Sequence, residues 1–204
     1  MEAFEQPLRE QDADPDPLSQ FAAWFDEAGQ SRERAPEAMA VATATPDGAP
    51  SLRMVLMKEF DERGFVFYTN YESRKGRELL ANPGAALLFH WDTLGRQVRI
   101  EGPAERLGAE ESAKYIRRRP RGSQLSALAS PQSQPVESRA ELERLVAELA
   151  DLNAEGELPL PEKWGGIRVH PERYEFWQHR EDRLHDRLVY TPEGDGWAVT
   201  RLAP

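Results

Sequence analysis

The sequence has no cysteine, which excludes disulfide bonds, thiolate nucleophiles and metal or iron–sulfur sites built on cysteine. It also lacks any run of about 18 apolar residues, the length that a membrane-spanning helix needs. The first twenty residues have neither the basic start nor the apolar stretch of an export signal. These absences predict a cytoplasmic protein, and its 204 residues are enough for one sizeable domain.

Basic residues are fewer than acidic ones: the sequence has 26 Lys and Arg and 36 Asp and Glu, which gives a formal net charge of −10. Such a charge disfavours nucleic acid and anionic membranes as partners, so an anionic ligand needs a local basic site. The common enzyme motifs, such as HExxH, GxSxG and the phosphate-binding glycine loops, are missing. The four histidines are too scattered to predict a metal site. Any activity must therefore rest on dispersed basic and polar side chains.

Alternating hydrophobic patterns separated by turn residues predict strands in hairpin order. They lie at 38–45, 51–60, 64–70, 85–91, 96–107, 166–171, 173–178, 186–191 and 196–202. Helices are predicted after an Asp16 cap, from Ser73, over 109–119 and from a capping box at Ser138. The Ser/Pro/Gln-rich segment 122–136 is predicted to be a loop.

This order of elements favours a mainly β fold with flanking helices, in which an antiparallel sheet closes into a barrel, over a doubly wound parallel sheet. No repeat or linker divides the chain, so residues 16–204 are expected to form a single domain. Residues 1–15 are polar, acidic and contain proline, which predicts a flexible arm that could order on a partner or ligand.

Basic residues form four clusters, of which the first is Arg53 and Lys58 in the apolar strand 51–60. Lone charges on a buried strand are costly unless they meet a counterion, for which a phosphate is one candidate. Exposure on a half-buried strand is the commoner explanation when no further context is available. The two residues have opposite parity, so both reach one ligand only through a β-bulge or a turn at the strand end.

In the second cluster, Arg74 and Lys75 occupy the first turn of the helix that begins at Ser73, just after Tyr68 and Thr69. Cations there oppose the helix dipole, and an anion bound to the free backbone N–H groups would reverse that penalty. The pattern favours a phosphate site and a solvated surface about equally.

In the third cluster, Tyr115 and Arg119 share a helix face, with Ser123 just past the helix end. The net charge and the lack of interleaved aromatic residues disfavour nucleic acid here, which leaves a small phosphorylated ligand or a solvated basic patch.

The fourth cluster is the segment RLHDR at residues 183–187. On a strand, Arg183, His185 and Arg187 would share one face, where an anionic or electron-rich ligand would offset their mutual repulsion. Surface pairing of the arginines with Asp182 and Asp186 explains the same run equally well.

Taken in order, the motifs RMVLMK, FYTNYESRKGREL, YIRRRPRGSQL, SPQS, EFWQHREDRLHDR and the terminal RLAP resemble the pyridoxamine 5'-phosphate oxidase family. The resemblance runs from about Asp16 to Pro204. It implies a Greek-key-like split β-barrel that binds FMN and works as a homodimer with flavin sites at the subunit interface. The implied reaction oxidises pyridoxamine or pyridoxine 5'-phosphate to pyridoxal 5'-phosphate and reduces O2 to hydrogen peroxide.

The resemblance also implies roles for individual residues. The flavin contacts would be Arg53, Met54, Val55, Leu56, Met57, Lys58, Tyr68, Thr69, Arg74, Lys75, Gln97, Gln132, Ser133, Trp177 and Arg187. The substrate phosphate would be held by Lys58, Tyr115, Arg119 and Ser123. Arg183, Leu184 and His185 match the segment placed over the pyridine ring of the substrate. We expect Arg183 and His185 to orient the substrate and stabilise charge rather than to supply an obligatory base.

One departure from the family is the arm, which is commonly longer and basic but is short and acidic here, with a partial match only at Pro7–Glu10. Two alternatives stay open: a phenazine-pathway flavin oxidase on the same scaffold, and a non-catalytic barrel that binds flavin or haem. The residues implied to hold a substrate phosphate argue against the first. Arg183 and His185 argue against the second.

Overall fold

A computed structural model describes residues 7–154, 156–159 and 162–204 of the chain. The helices are α1 (Pro17–Gln30), α2 (Arg74–Ala81), α3 (Ala109–Arg118), α4 (Arg121–Ala129) and α5 (Arg139–Leu152). The strands are β1 (Ala38–Ala44), β2 (Pro50–Asp61), β3 (Gly64–Asn70), β4 (Gly84–Trp91), β5 (Arg96–Arg106), β6 (Trp164–Val169), β7 (Arg173–Gln178), β8 (Asp186–Glu193) and β9 (Gly196–Arg201).

The strands form one curled antiparallel sheet in the order β4-β1-β2-β3-β6-β5-β7-β8-β9. A further pairing of β4 with β5 closes the first six strands into a ring. On the edge opposite β4, β5 pairs with two strands. Its residues 96–101 pair with β7, and its residues 104–106 pair with β6. Strands β7 to β9 therefore extend the sheet beyond the ring. The predicted antiparallel barrel with flanking helices is confirmed.

The core is aromatic, and α1 supplies its central side chain. Asp16 caps α1 by accepting the backbone N–H groups of Leu18 and Ser19, and a proline follows at the first helical position. Phe21 is fully buried, and its ring lies edge-on to Phe65 at 4.8 Å and to Phe89 at 5.0 Å between centroids. Such offset contacts stabilise a core by about 0.5–1.5 kcal/mol each beyond burial, so they fix α1 on the sheet.

The outward face of β2 carries apolar side chains. Leu52, Met54 and Leu56 alternate along it with exposures of 68%, 64% and 43%, and Leu88 of β4 is also exposed. These four residues are called the outer apolar strip below. Contiguous exposed apolar surface of this kind marks an interaction face.

The register between β2 and β3 shifts between Met57 and Glu59, so Lys58 is the extra residue of a β-bulge. Met57 is buried and Lys58 is exposed. This is the irregularity that the spacing of Arg53 and Lys58 requires if both are to reach one ligand. The bulge therefore changes the direction in which the Lys58 side chain points, compared with a regular strand.

Two local predictions are wrong. Segment 122–136 is not all loop, because α4 covers most of its first half, where Leu125 is buried and helix-forming Leu, Ala and Gln are concentrated. Residues 183–187 are not one strand either. They continue from a 3₁₀ turn at Glu181–Arg183, and β8 begins only at Asp186, because this segment is the connection between the paired strands β7 and β8.

Ser138 caps α5 as predicted, since its hydroxyl accepts the N–H of Glu141, whereas the Glu141 carboxylate pairs with Arg144 instead of completing a capping box. The apolar side chains Leu142, Leu145, Val146 and Leu149 of this helix are partly buried in the single chain. No residue of α5 is buried, and Leu152 is 81% exposed.

The described part of the N-terminal arm lies along β8 and β9. Leu8 is buried, and its N–H donates to Asp186 at 3.1 Å. Arg201 donates to the Leu8 carbonyl at 2.7 Å and to the Glu10 carboxylate at 2.8 Å. These contacts tie residues 8–10 to the strands that follow segment 183–187. No helix among the described residues is long and apolar enough to cross a membrane.

Candidate functional site

Three cations, Arg53, Arg74 and Lys75, converge where β3 meets the start of α2. Lys75 donates hydrogen bonds of 3.1 Å to the Thr69 hydroxyl and to the Gln132 side-chain oxygen, both of which are neutral. Burial, and to a lesser degree the charge of Arg53, lower the pKa of Lys75 to about 8. The site is therefore electropositive at a helix N-terminus, where backbone dipoles already favour an anion.

Glu78 lies one turn further along α2 and is buried beneath these cations. Its carboxylate accepts hydrogen bonds from Thr43, Ser51 and Arg74, and it lies 3.5 Å from the Arg53 guanidinium. Burial by itself would raise the pKa of Glu78, but the hydrogen bonds outweigh it and lower the pKa to about 2. Glu78 therefore stays ionised and holds both guanidinium groups in place.

An aromatic stack continues the site. The ring of Tyr68 lies 3.7 Å from that of Tyr115 and 5.5 Å from that of Trp164, and the Arg119 guanidinium lies 5.0 Å from the Trp164 ring. The Tyr68 hydroxyl and one Arg119 nitrogen are buried with no hydrogen-bond partner in the described chain. Such atoms cost about 1–3 kcal/mol each, so a ligand rich in oxygen fits this place.

A cavity lies beside the stack and adjoins the cationic site through Gln132. Arg119 and Gln132 both line this cavity of about 220 Å³, together with Asn70 and Trp164. Gln132 is also the acceptor for Lys75. Residues more than 50 positions apart in the sequence therefore meet around one cavity.

A second group of predicted residues forms a row across the outer face of the sheet. The register pairs Gln97 with Trp177 and Trp177 with Arg187, and directly paired residues of antiparallel strands project to the same face. Buried Glu175 accepts hydrogen bonds from Arg187 at 2.8 Å and from Arg99 at 2.6 Å. The row thus presents an amide, an indole and a fixed guanidinium side by side.

The β7–β8 connection adds a histidine to this surface. The His185 ring lies 4.6 Å from that of Trp177, and its Nδ1 accepts the N–H of Arg180 at 3.1 Å. Neutral His185 therefore carries its proton on Nε2. Arg183 is exposed and lies in the 3₁₀ turn that precedes His185, so the predicted alternation of Arg183, His185 and Arg187 on one strand face is wrong.

Backbone strain is concentrated at predicted site residues. In the described chain, positive φ outside glycine occurs at Ser133 (70°), Asp182 (54°) and Arg183 (60°). Residues with side chains adopt this conformation rarely, and such positions cluster at functional sites. The strain favours a functional role for both segments.

Two family models match the chain. Residues 25–153 match pyridoxamine 5'-phosphate oxidase, and residues 164–204 match the pyridoxine 5'-phosphate oxidase C-terminal dimerisation region. The chain belongs to the pyridoxamine 5'-phosphate oxidase family.

Close relatives carry the same name. The pyridoxine/pyridoxamine 5'-phosphate oxidase of Rubrobacter xylanophilus is 60% identical over 197 residues, which cover 97% of this chain and 91% of the relative. That of Gluconobacter oxydans is 56% identical over 193 residues, which cover 95% and 96%. This chain is thus an enzyme of the pyridoxamine 5'-phosphate oxidase family.

A solved structure shares almost the whole fold. PhzG from Burkholderia lata, in complex with tetrahydrophenazine-1-carboxylic acid, superposes with a TM-score of 0.91 over 99% of this chain and all of that one. Its sequence identity is 36%, well below that of the two phosphate oxidases. The fold is therefore shared with PhzG, whereas the sequence is more similar to the pyridoxine/pyridoxamine 5'-phosphate oxidases.

The residues that the family resemblance implied fall into distinct places, and their roles stay predictions. Arg53, Thr69, Arg74, Lys75 and Gln132 meet at the start of α2, Tyr68, Tyr115 and Arg119 meet in the stack, and Gln97, Trp177 and Arg187 form the row. Met54, Leu56 and Leu184 are exposed, whereas Val55 is half-buried and Met57 is buried. Ser123 lies past the end of α3, as predicted, and falls in the first turn of the next helix, α4.

Sequence reasoning missed three residues of the site: Glu78, Trp164 and Glu175. The spacing of Arg74 and Glu78, four apart on a helix, is a signal that could have found the first. The partners of Trp164 and Glu175 come from other elements of the fold, so no local pattern identifies them.

Replacing Glu175 with glutamine is expected to lower the free energy of unfolding by about 1–3 kcal/mol, because two guanidinium groups lose a charged acceptor. Urea unfolding measures the effect. Glu101→Gln is the matched control, since Glu101 pairs with Arg99 at the surface and its loss should cost under about 0.5 kcal/mol. Equal effects of the two substitutions would contradict the role given to Glu175.

Proposed function

We propose that the protein is an FMN-dependent oxidase that converts pyridoxamine or pyridoxine 5'-phosphate to pyridoxal 5'-phosphate and reduces O2 to hydrogen peroxide. The observation that carries this proposal is the cationic site at the start of α2. There the hydrogen-bond acceptors of Lys75 among the described residues are both neutral, and its pKa is lowered by burial. A phosphate monoester supplies the negative charge that this site favours.

The residues present fit FMN. Arg53, Arg74 and Lys75 would bind its phosphate, and the row of Gln97, Trp177 and Arg187 would contact its ring. When bound, FMN supplies the redox chemistry, accepting a hydride from the substrate and passing two electrons to O2. The chain itself contributes binding, alignment and charge.

A second phosphate, that of the substrate, fits the aromatic stack. Arg119 and Tyr115 share this place, and one Arg119 nitrogen is buried without a partner in the described chain. Ser123 follows in the first turn of α4. Lys58 on its bulge would complete the set. The protein would then have two phosphate sites, one for the phosphate of the cofactor and one for the phosphate of the substrate.

Arg183 and His185 would orient the pyridine ring of the substrate. Because Nδ1 of His185 is occupied by the N–H of Arg180, neutral His185 offers its Nε2–H as a hydrogen-bond donor. This favours positioning and charge stabilisation over proton abstraction by His185. The Arg183 guanidinium would lie beside it as a permanent positive charge.

We also propose a homodimer whose two flavin sites are built from both subunits. Support comes from the match of residues 164–204 to a dimerisation region, which contains Trp177 and Arg187. The outer apolar strip supplies exposed apolar surface that a second copy would cover.

The purified protein should be yellow, and its visible flavin band should bleach when pyridoxine 5'-phosphate is added without oxygen. Admitting O2 should restore the band and produce hydrogen peroxide. The phenazine alternative is tested in parallel with a dihydrophenazine carboxylic acid, because the PhzG fold is so similar. A protein bleached only by the phenazine, or a bound chromophore that no pyridoxine compound reduces, would overturn the proposal.

A further inference from the structure

His90 of β4 extends the row on the outer face of the sheet. The register pairs His90 with Gln97, Gln97 with Trp177 and Trp177 with Arg187. Four neighbouring strands, each about 4.8 Å from the next, therefore place these side chains in one line. The resemblance to the family assigns a flavin contact to the other three members of the line but not to His90.

The orientation of His90 is fixed by its neighbours in the sequence. Phe89 and Trp91 are buried in the core with exposures of 0% and 1%, and alternation along β4 then directs His90 outward. A slip of one residue would expose both aromatic rings, so the register is strongly held. The imidazole is exposed in the single chain, and no hydrogen bond, ion pair or ring contact to it occurs among the described residues.

The surroundings of His90 are apolar on one side and polar on the other. Leu88, two residues earlier on the same face, belongs to the outer apolar strip, and Gln97 lies directly opposite on β5. A polar ring that becomes covered without a hydrogen-bond partner would cost free energy. An occupant of this face therefore has to offer His90 a polar atom.

We propose that His90 is a further contact of the flavin and forms a hydrogen bond with the polar edge of the isoalloxazine ring. This inference rests on the proposed function, because it takes FMN to be the occupant of the row. Trp177 offers an apolar plane, Gln97 an amide and Arg187 a guanidinium held by Glu175. His90 adds an imidazole beside the amide, as a fourth contact in register with the other three.

The test compares His90→Phe, which keeps an aromatic ring and loses the hydrogen bond, with His90→Gln, which keeps a polar group. In His90→Phe, the Kd of FMN is expected to rise about three- to tenfold, the value of one hydrogen bond. Its bound flavin is expected to show shifted visible absorption maxima, and His90→Gln is expected to recover most of the affinity. His170→Phe is the control, because His170 pairs with Glu105 just beyond the end of β6.

The outcomes separate this inference from the proposed function. A wild-type protein that binds no FMN would overturn both. A wild-type protein that binds FMN and oxidises pyridoxine 5'-phosphate, beside a His90→Phe variant with unchanged Kd and spectrum, would overturn the role of His90 alone. A variant that changes dimer dissociation but not the flavin spectrum would also overturn it, since His90 would then contact the partner subunit.

Discussion

Replacing Lys75 with methionine is expected to weaken FMN binding about 30- to 150-fold, which corresponds to about 2–3 kcal/mol for a hydrogen bond to a charged group. Methionine keeps the length and the apolar stem of lysine but removes the charge and the two hydrogen bonds to Thr69 and Gln132. The substitution also relieves the repulsion between Lys75 and Arg53, and Thr69 still donates to Gln132 at 3.0 Å, so the free energy of unfolding of the apoprotein should change little. Quenching of flavin fluorescence during titration of the apoprotein measures the affinity.

Lys114→Met is the matched control for charge removal. Lys114 lies on α3 and forms an exposed ion pair with Glu110 at 3.0 Å, of a kind that contributes little. Its FMN affinity is expected to equal that of the wild type. If Lys75→Met also binds FMN like the wild type, the phosphate does not lie at the start of α2.

The pH dependence of FMN binding gives an independent check on Lys75. Its pKa is about 8 in the free protein, and a bound phosphate would raise that pKa, so binding takes up a proton at higher pH. Affinity should be roughly constant from about pH 7, where the phosphate is mostly a dianion, to about pH 8. Above pH 8 it should fall by up to about tenfold per pH unit. Lys75→Met should lose this dependence, and parallel pH profiles for the two proteins would contradict the assignment.

Replacing Arg183 with alanine is expected to lower kcat about 100-fold or more while leaving the protein yellow. A positioned charge at the reacting centre contributes that much in enzymes, and Arg183, the residue proposed for this role, lies in a turn with positive φ at two consecutive residues. Steady-state oxidation of pyridoxine 5'-phosphate and the rate of anaerobic flavin reduction measure the effect. The Kd of FMN should change little, because Arg183 is assigned to the substrate.

Arg183→Lys separates charge from geometry. Lysine keeps the positive charge but lacks the planar guanidinium, so it should recover only part of the activity. Arg139→Ala, which removes an arginine paired with Glu143 on the exposed surface of α5, should have wild-type kcat. An Arg183→Ala enzyme as active as the wild type would remove this residue from the reaction.

The sequence by itself determined most of the secondary structure, because strands and helices depend on local side-chain periodicity and capping. The alternation in AMAVATA, the Asp16 cap and the Ser138 cap each appear in the structure where the pattern predicts them. The family motifs also predicted which of the dispersed arginines and lysines bind a ligand. The antiparallel barrel followed from strands in hairpin order.

Local patterns failed where connections and long-range pairing decide the conformation. Segment 183–187 alternates like a strand, yet it turns because it connects β7 to β8. The spacing of Arg53 and Lys58 demanded an irregularity, but only the pairing of β2 with β3 located it as a bulge.

Only the tertiary structure decided which side chains share the site. Glu175 meets Arg187 and Arg99 from neighbouring strands, and His90 joins Gln97 through the register of β4 with β5. Pairing between strands distant in sequence depends on the burial of whole faces, so no single segment encodes it. The chain therefore specifies its elements locally, whereas the burial of whole faces decides which residues share a surface, as the burial of Phe89 and Trp91 does for His90.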